Sequence, residues 1–329
     1  MSALLLAAFL SPRPAPQART SLWGVALALH PREAARQGFA YPPDPAPLRG
    51  LGARAILLTP SWNVANVHGS ELKPGEVRDG TLRRVIRRAH ELGLAVALAP
   101  WVALEEAGPG QWRGTLDPAD RPAWWRSYTR FALHYARLAA EERVAILAIG
   151  HELSSLGNDR AWGPIARRVR SVYGGPLAFV ANHDALDAVP ADAIDVLGVS
   201  AYFPLARDTD ASEATMRRRW RALAERLRRF KERHGKPLVV FEVGYPSRDG
   251  GAVRPWDDSR GTPADPDEQR RAYAALTSAL QDASWLDGLF FWTWFGDGGA
   301  YDRHYTVRGK PAEDRLRAFL SRRTSAAPW

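Results

Sequence analysis

Residues 144–157 read VAILAIGHELSSLG, and the apolar run that opens this stretch decides the fold. Val144–Gly150 is apolar on both faces, which is typical of a parallel strand covered by helices. The run ends on a His-Glu pair. A zinc-binding helix of the His-Glu-x-x-His type would need a second histidine at position 155, where this chain has Ser155. We therefore interpret the stretch as a buried strand that delivers the carboxyl of Glu152 at its C-terminal end.

Runs of the same kind recur along the chain, and amphipathic segments separate most of them. The predicted strands are Trp23–Leu29, Ala53–Thr59, Ala95–Pro100, Val144–Gly150, Leu177–Asn182, Val196–Ser200, Pro237–Val243 and Gly288–Thr293. The predicted helices are 81–92, 122–140, 160–172, 212–234, 266–283 and 312–322. This alternation predicts an α/β protein with a (β/α)8 TIM-barrel fold. The alternative is a doubly wound open sheet, which usually has a glycine-rich first turn, but the first predicted strand runs into ALHPREAARQG.

One domain accounts for the pattern, because no linker or repeat divides the chain. We predict a catalytic domain over residues 21–325, preceded by a leader at residues 1–20. The leader begins MSALLLAAFLSPRPAPQA and resembles a signal peptide without its basic n-region. It favours a secreted or periplasmic protein, and a cytoplasmic protein with a disordered leader is the alternative. No run approaches the roughly 18 apolar residues of a membrane span.

The composition excludes some functions. The chain has no cysteine, which rules out disulfides, thiol catalysis and thiolate metal sites. The net charge of +9 raises the possibility of a nucleic-acid partner. However, the arginines cluster at 83–88, 167–170, 217–229 and 315–323, inside helical patterns whose other faces are apolar. We interpret them as solvated helix faces and predict no nucleic-acid partner.

Catalytic groups of a barrel lie at the C-terminal ends of its strands. The fourth predicted strand delivers Glu152 there, and the seventh delivers Glu242. Two carboxyls that flank one bond are what glycoside hydrolysis requires. The one that acts as general acid needs a raised pKa, and we expect the apolar approach to Glu152, with His151 beside it, to provide it. This chemistry needs no metal and no organic cofactor.

Aromatic and polar residues at the other strand ends complete a predicted sugar site, since tryptophan faces suit sugar rings. The predicted substrate-binding residues are Trp62, Asn63, Trp101, His151, Asn182, Tyr202, Trp292 and Trp294. Trp292 and Trp294 are two residues apart, so an extended strand would point both to the same side. We expect Trp292 to form the floor of the subsite. The alternative is that it only fills the top layer of the barrel core.

Several stretches together resemble glycoside hydrolase family 113, the β-mannanase family of the clan A retaining glycosidases, over most of residues 23–322. They are VIRRAHELGLAVALAPWV, QWRGTL, HYARLAAEERVAILAIGHELSS, VRSVYGGPLAFVANHD, IDVLGVSAYFPL, VVFEVGYPS and GLFFWTWFGDGG. The resemblance implies that Glu152 is the acid/base and Glu242 the nucleophile of a retaining enzyme on β-1,4-mannan or manno-oligosaccharides. It also implies that Tyr202 lies near the nucleophile and that Trp62, Asn182 and Trp292 lie at the sugar.

Two departures from the family pattern concern the sugar-binding rim. His151 stands where most of clan A has asparagine and family 113 usually has threonine, and Asn182-His183 stands where the family tends to have Asn-Trp. A β-glycosidase acting on another β-linked glycan therefore remains an alternative. A non-catalytic carbohydrate-binding barrel is a second alternative, although a site that only binds does not need two carboxyls.

Overall fold

The computed structural model describes residues 22–257 and 261–325, and its central feature is a closed barrel of eight parallel strands. The strands are β1 (Leu22–Leu27), β2 (Ala55–Leu58), β3 (Ser61–Val64), β4 (Lys73–Pro74), β5 (Ala95–Leu98), β6 (Trp101–Leu104), β7 (Ile146–His151), β8 (Leu177–Asn182), β9 (Val196–Ser200), β10 (Leu238–Val243) and β11 (Gly288–Trp294). The barrel order is β1-β11-β10-β9-β8-β7-β5-β2, and β1 closes it by pairing with both β2 and β11.

Helices cover the outside of the barrel. They are α1 (Pro31–Gln37), α2 (Ala46–Gly50), α3 (Asp79–Glu91), α4 (Arg121–Glu141), α5 (Trp162–Arg170), α6 (Glu213–His234), α7 (Pro266–Leu280) and α8 (Pro311–Ser325). The predicted (β/α)8 barrel is confirmed, and each barrel strand begins and ends within two residues of its predicted bounds. The doubly wound alternative is excluded by the closure of the sheet.

Alternate residues of the barrel strands point inward and form one buried cluster. Many of its members are alanines, such as Ala97, Ala148 and Ala178. It also contains the rings of Phe241 and Phe290, whose centroids lie 6.1 Å apart. The outward-facing residues pack against the helices in a second, larger cluster. The barrel is therefore a filled core, and the space for a ligand lies above it.

Two strands bulge just before they deliver the glutamates. Strand β7 uses two residues, from Ala148 to Gly150, where β8 uses one, and β10 does the same against β9 between Val240 and Glu242. Such bulges re-aim the side chains that follow them. Glu152 also has a φ of 55°, a left-handed conformation that is costly for a residue other than glycine. The bulges in β7 and β10, together with the backbone conformation of Glu152, thus set the directions of the two carboxyl groups.

A small second sheet extends the rim of the barrel. It has the order β4-β3-β6, and β3 and β6 follow directly after the barrel strands β2 and β5. The chain after β6 makes a short 3-10 turn at Arg113–Thr115 before α4 begins. This sheet was not predicted from the sequence, and it places the turn beside the mouth of the barrel.

The leader predicted at residues 1–20 lies outside the described residues. The boundary at residue 21 and the export of the protein therefore stay predictions. Among the residues that the structure describes, no helix is both long enough and apolar enough to cross a membrane.

Candidate active site

A cavity of about 770 Å³ opens at the C-terminal mouth of the barrel, where the sequence predicted the site. Strands and loops all around the barrel contribute to its wall. Of the predicted site residues, those that line it are Trp101, His151, Glu152, Asn182, Tyr202, Glu242 and Trp292. The barrel thus brings together seven side chains that are far apart in the sequence.

Glu152 and Glu242 face each other at the bottom of this cavity. Both are buried, with 6% of each residue exposed. A carboxylate oxygen of Glu152 lies within 4.8 Å of one of Glu242. Two like charges so close and so poorly hydrated repel each other strongly, so the site must compensate them.

Glu242 has two hydrogen-bond partners. Nε2 of His151 lies 2.9 Å from its Oε1, and the Tyr202 hydroxyl donates to its Oε2 at 2.8 Å. Burial and the neighbouring charge of Glu242 raise the pKa of Tyr202 well above its ordinary value. The phenol therefore keeps its proton over the whole working range of pH, and Glu242 has a permanent hydrogen-bond donor.

Glu152 has a different partner, the guanidinium of Arg113 in the turn after β6. Nη1 of Arg113 lies 2.5 Å from Oε2 of Glu152, and the guanidinium lies 4.1 Å above the ring of Trp101. Burial opposes the ionisation of Glu152, but the positive charges of Arg113 and His151 outweigh it and lower the pKa of this carboxyl. The raised pKa expected from the sequence is therefore wrong for this structure, because a cation lies where only apolar surroundings were foreseen.

The rim beside Asn182 is polar and aromatic. Nδ2 of Asn182 donates to Asp184 at 2.7 Å, and Nδ1 of His183 lies 3.1 Å from the Asn182 side-chain oxygen. The ring of His183 stacks on Trp256, with centroids 5.6 Å apart and planes 25° from parallel. Trp256 is half exposed and also lines the cavity. Position 183, where the family pattern has tryptophan, thus holds a histidine whose ring stacks on Trp256.

The two tryptophans of β11 do not point to the same side. Trp292 lines the cavity and packs against the inward-facing cluster, whereas Trp294 is buried in the outer cluster and is not part of the cavity wall. The reason is an extra residue in β11, which advances from Phe291 to Trp294 while β1 advances from Val25 to Leu27. The structure therefore does not place Trp294 in the wall of this cavity, and its contact with substrate stays a prediction.

Trp62 and Asn63 also lie outside the cavity. They belong to β3, which leaves the barrel and joins the small sheet. The ring of Trp62 packs against α4, 5.6 Å from Phe131 and 5.4 Å from His134. Both residues follow a barrel strand in the sequence, but the chain turns them away from the mouth.

Other residues of the cavity wall were missed as sequence candidates. They are His30, Thr59, Trp112, Arg113, Trp256 and Tyr305. Arg113 and Trp112 lie in the stretch QWRGTL, and Trp256 lies between β10 and α7. All three lie well beyond the end of a barrel strand, so a search for functional residues at strand ends did not find them.

A second cavity of about 290 Å³ adjoins the first across Trp292. His30 and Tyr305 contribute to both walls, and the second cavity continues past Phe39 and Phe295. The surface near the two glutamates is thus longer than a single pocket.

A filled parallel barrel with two buried glutamates under an aromatic cavity is the architecture of TIM-barrel glycoside hydrolases. The sequence profile of glycoside hydrolase family 113 matches residues 51–310, and the chain belongs to that family. The resemblance seen in the sequence is confirmed, and so is the expectation of a glycoside hydrolase with a carbohydrate substrate. No curated protein matches the chain significantly.

Solved structures agree with this assignment. The GH113 β-mannanase AaManA from Alicyclobacillus acidocaldarius, in complex with ManMIm, is 28% identical, with a TM-score of 0.76 over 92% of this chain and 97% of that one. A GH113 β-1,4-mannanase shares the fold at 22% identity, with a TM-score of 0.78 over 91% and 98%. The endo-β-1,4-mannanase from Thermotoga petrophila has the same fold at 12% identity, with a TM-score of 0.62 over 94% and 78%.

Proposed function

We propose that the protein is a retaining β-glycoside hydrolase that cleaves β-1,4-mannan or manno-oligosaccharides, with Glu152 as acid/base and Glu242 as nucleophile. The observation that carries the proposal is the separation of the two carboxylates, whose nearest oxygens are within 4.8 Å. Retaining enzymes need carboxyl groups about 5–5.5 Å apart, whereas inverting enzymes leave about 6.5–9.5 Å for a water molecule.

In the first step, Glu242 attacks the anomeric carbon while Glu152 gives its proton to the leaving glycosidic oxygen. The bond from the sugar to Glu242 forms as the bond to the leaving oxygen breaks. Glu152 must carry a proton at that moment, so its ion pair with Arg113 has to loosen when substrate fills the cavity. The hydroxyl of Tyr202 stays on Glu242 as it approaches the sugar.

In the second step, Glu152 is ionised and removes a proton from a water molecule that attacks the same carbon. The ester to Glu242 breaks, the sugar leaves with its original configuration, and Glu152 has its proton back. Arg113 suits this half of the reaction, because a nearby cation favours the ionised form of Glu152.

The substrate class rests on the family and on the aromatic wall. Trp101, Trp256 and Trp292 line the cavity, and the adjoining cavity past Trp292 lengthens the surface. Such a site suits a chain of sugars. The mannan assignment comes from the family's β-mannanases. A different β-linked glycan is the second candidate, because His183 occupies a rim position where the family tends to have tryptophan.

The test is a panel of manno-, gluco-, xylo- and chito-oligosaccharides with product analysis, including NMR of the first anomer released. We expect turnover of the manno-oligosaccharides with a β-anomer as first product. An α-anomer as first product would contradict retention, and preference for another sugar would move the substrate class to the second candidate. No turnover on any member would favour a carbohydrate-binding barrel.

Two variants test the roles of the glutamates. Glu242→Ala should abolish turnover of every substrate. Glu152→Ala should slow substrates with poor leaving groups most, since these need a proton, and added azide should restore part of the activity on activated aryl glycosides. An equal loss on good and poor leaving groups would argue against Glu152 as the acid.

A further inference from the structure

His151, at the end of β7, is buried between two partners. Only 3% of it is exposed. Its Nδ1 lies 3.2 Å from the carbonyl oxygen of Ala99, and its Nε2 lies 2.9 Å from Oε1 of Glu242. The ring is thus fixed at both nitrogens, and one of them faces the proposed nucleophile.

These two contacts determine where the protons are. A backbone carbonyl can only accept a hydrogen bond, so Nδ1 carries a hydrogen. A neutral ring would then present the lone pair of Nε2 to a carboxylate oxygen, which is repulsive. A proton must therefore lie between Nε2 and Oε1, on one group or the other.

The surroundings favour the histidine as its carrier. Glu242 and Glu152 are the negative groups near the ring, Arg113 is the positive one, and the Tyr202 hydroxyl faces the other oxygen of Glu242. Burial opposes a charged ring, but the negative charges of Glu242 and Glu152 and the hydrogen bond to Glu242 together outweigh burial and raise the pKa of His151. The ordinary pKa of histidine is about 6.5, so the ring stays charged above that pH.

We propose that His151, as an imidazolium, is a positioning residue that donates to the carboxylate of Glu242 and holds it aimed at the anomeric carbon. The proposal rests on the proposed function. His151 immediately precedes the acid/base Glu152, and an uncharged side chain at that position could not give Glu242 a positively charged donor. An amide donates at any pH, but an imidazole donates through Nε2 here only while it is charged. Deprotonation of His151 therefore turns a donor to the nucleophile into a repulsive neighbour.

The experiment measures kcat/KM against pH with 2,4-dinitrophenyl β-mannoside, whose leaving group needs no proton from Glu152. With this substrate kcat/KM reports the attack of Glu242 alone. In the wild type it should fall tenfold per pH unit above the pKa of His151. In His151→Asn the alkaline fall should vanish, and the plateau at lower pH should be about tenfold lower because a neutral donor replaces a charged one.

His183→Asn is the matched control. His183 also lines the cavity, but its ring contacts Asn182 and Trp256 and not Glu242. This variant should keep the alkaline fall, whatever it does to the plateau. The inference is overturned if His151→Asn keeps the fall, or if the wild type has none.

A second measurement does not depend on turnover or on the folding of His151→Asn. In ¹⁵N-histidine NMR of the wild type, one histidine should keep both ring nitrogens protonated above the ordinary pKa of about 6.5. In Glu242→Gln the same signal should titrate at lower pH, because the negative partner is gone. If no histidine responds to Glu242→Gln, the inference fails. If the histidine responds but no β-mannoside is cleaved, the proposed function fails instead.

Discussion

Each carboxyl of the site has its own cation, and the two cations differ in kind. Arg113 cannot lose its charge in the working range of pH, whereas His151 can. The pairing also explains how two buried glutamates remain so close together. These contacts offset the repulsion between the two carboxyl groups.

Replacing Arg113 by Gln should move the alkaline limb of the pH profile upward. A general acid works while protonated, so activity on an unactivated manno-oligosaccharide is lost as pH rises through the pKa of Glu152. Burial opposes the ionisation of Glu152 and Arg113 favours it, so removing the charge of Arg113 should move that pKa upward. The measurement is kcat/KM against pH with mannotetraose.

The control for this variant is Arg317→Gln. Arg317 pairs with Glu313 on α8 and does not line the cavity. Its alkaline limb should coincide with that of the wild type. If kcat/KM of Arg113→Gln also falls at the same alkaline pH as that of the wild type, the ion pair does not set the pKa of Glu152 during catalysis.

Trp292 and Trp294 allow a matched comparison of a ring at the cavity with a ring in the core. Trp292→Ala should lower kcat/KM by at least about tenfold, or about 1.4 kcal/mol of transition-state stabilisation, since the ring can no longer orient the sugar. Trp294→Ala should instead cost about 3–5 kcal/mol of stability with little change in the kinetics of the folded protein. Thermal melting and steady-state kinetics on both variants check this. If Trp292→Ala lowers the melting temperature but leaves kcat/KM unchanged, Trp292 is a core residue.

At the scale of elements, the first turn of α7 organises the loop that carries Trp256. Glu268 is fully buried there, and its two carboxylate oxygens accept the backbone N–H groups of Gly250 and Ala252 at 2.8 and 2.7 Å. The helix begins at the N-cap Asp265, whose side chain accepts from the backbone N–H of Glu268. One helix end thus fixes a loop that reaches the cavity.

Glu268→Gln should loosen this loop. An amide has only one acceptor atom, so its NH₂ group would face a backbone N–H, at a cost of about 1–3 kcal/mol in the free energy of unfolding. KM should rise as Trp256 becomes less ordered. Asp267→Asn is the control, because Asp267 pairs near the surface with Arg270 and Arg271, and such pairs are each worth about 1 kcal/mol or less. Equal effects of the two variants in melting and kinetics would refute the role of Glu268.

The elements differ in how far the sequence could predict them. The barrel strands were predictable because burial on both faces leaves a continuous apolar run, as in Leu238–Val243. Strands β3, β4 and β6 were not, since they have two to four residues and are largely not buried. Glu152 and Glu242 could be found from their place at strand ends. Arg113 could not, because an arginine in a loop looks like any solvated charge until the fold brings it to its partner.

At the scale of the whole molecule, the net charge of +9 is spread over helix faces where many arginines already have carboxylate partners. On α6, for example, Arg228 pairs with both Glu225 and Glu232. These faces lie around the barrel and not at the cavity.

Any binding of DNA should therefore be nonspecific. We expect binding measured by fluorescence anisotropy to be independent of sequence and to disappear as salt rises from about 50 to about 200 mM. Binding that persists at the higher salt, or that competes with manno-oligosaccharides, would contradict this view of the charge.

The location of Arg113 in a turn bears on how the pH dependence of such an enzyme can change in evolution. His151 lies at the end of barrel strand β7, whereas Arg113 belongs to a 3-10 turn in the connection between β6 and α4, and such connections can be exchanged. His151 thus sets an alkaline limit from within a barrel strand, whereas the alkaline limit that Arg113 sets through Glu152 depends on an exchangeable turn. Lineages of this barrel could adapt to more alkaline habitats by exchanging that single turn, without rebuilding the catalytic centre.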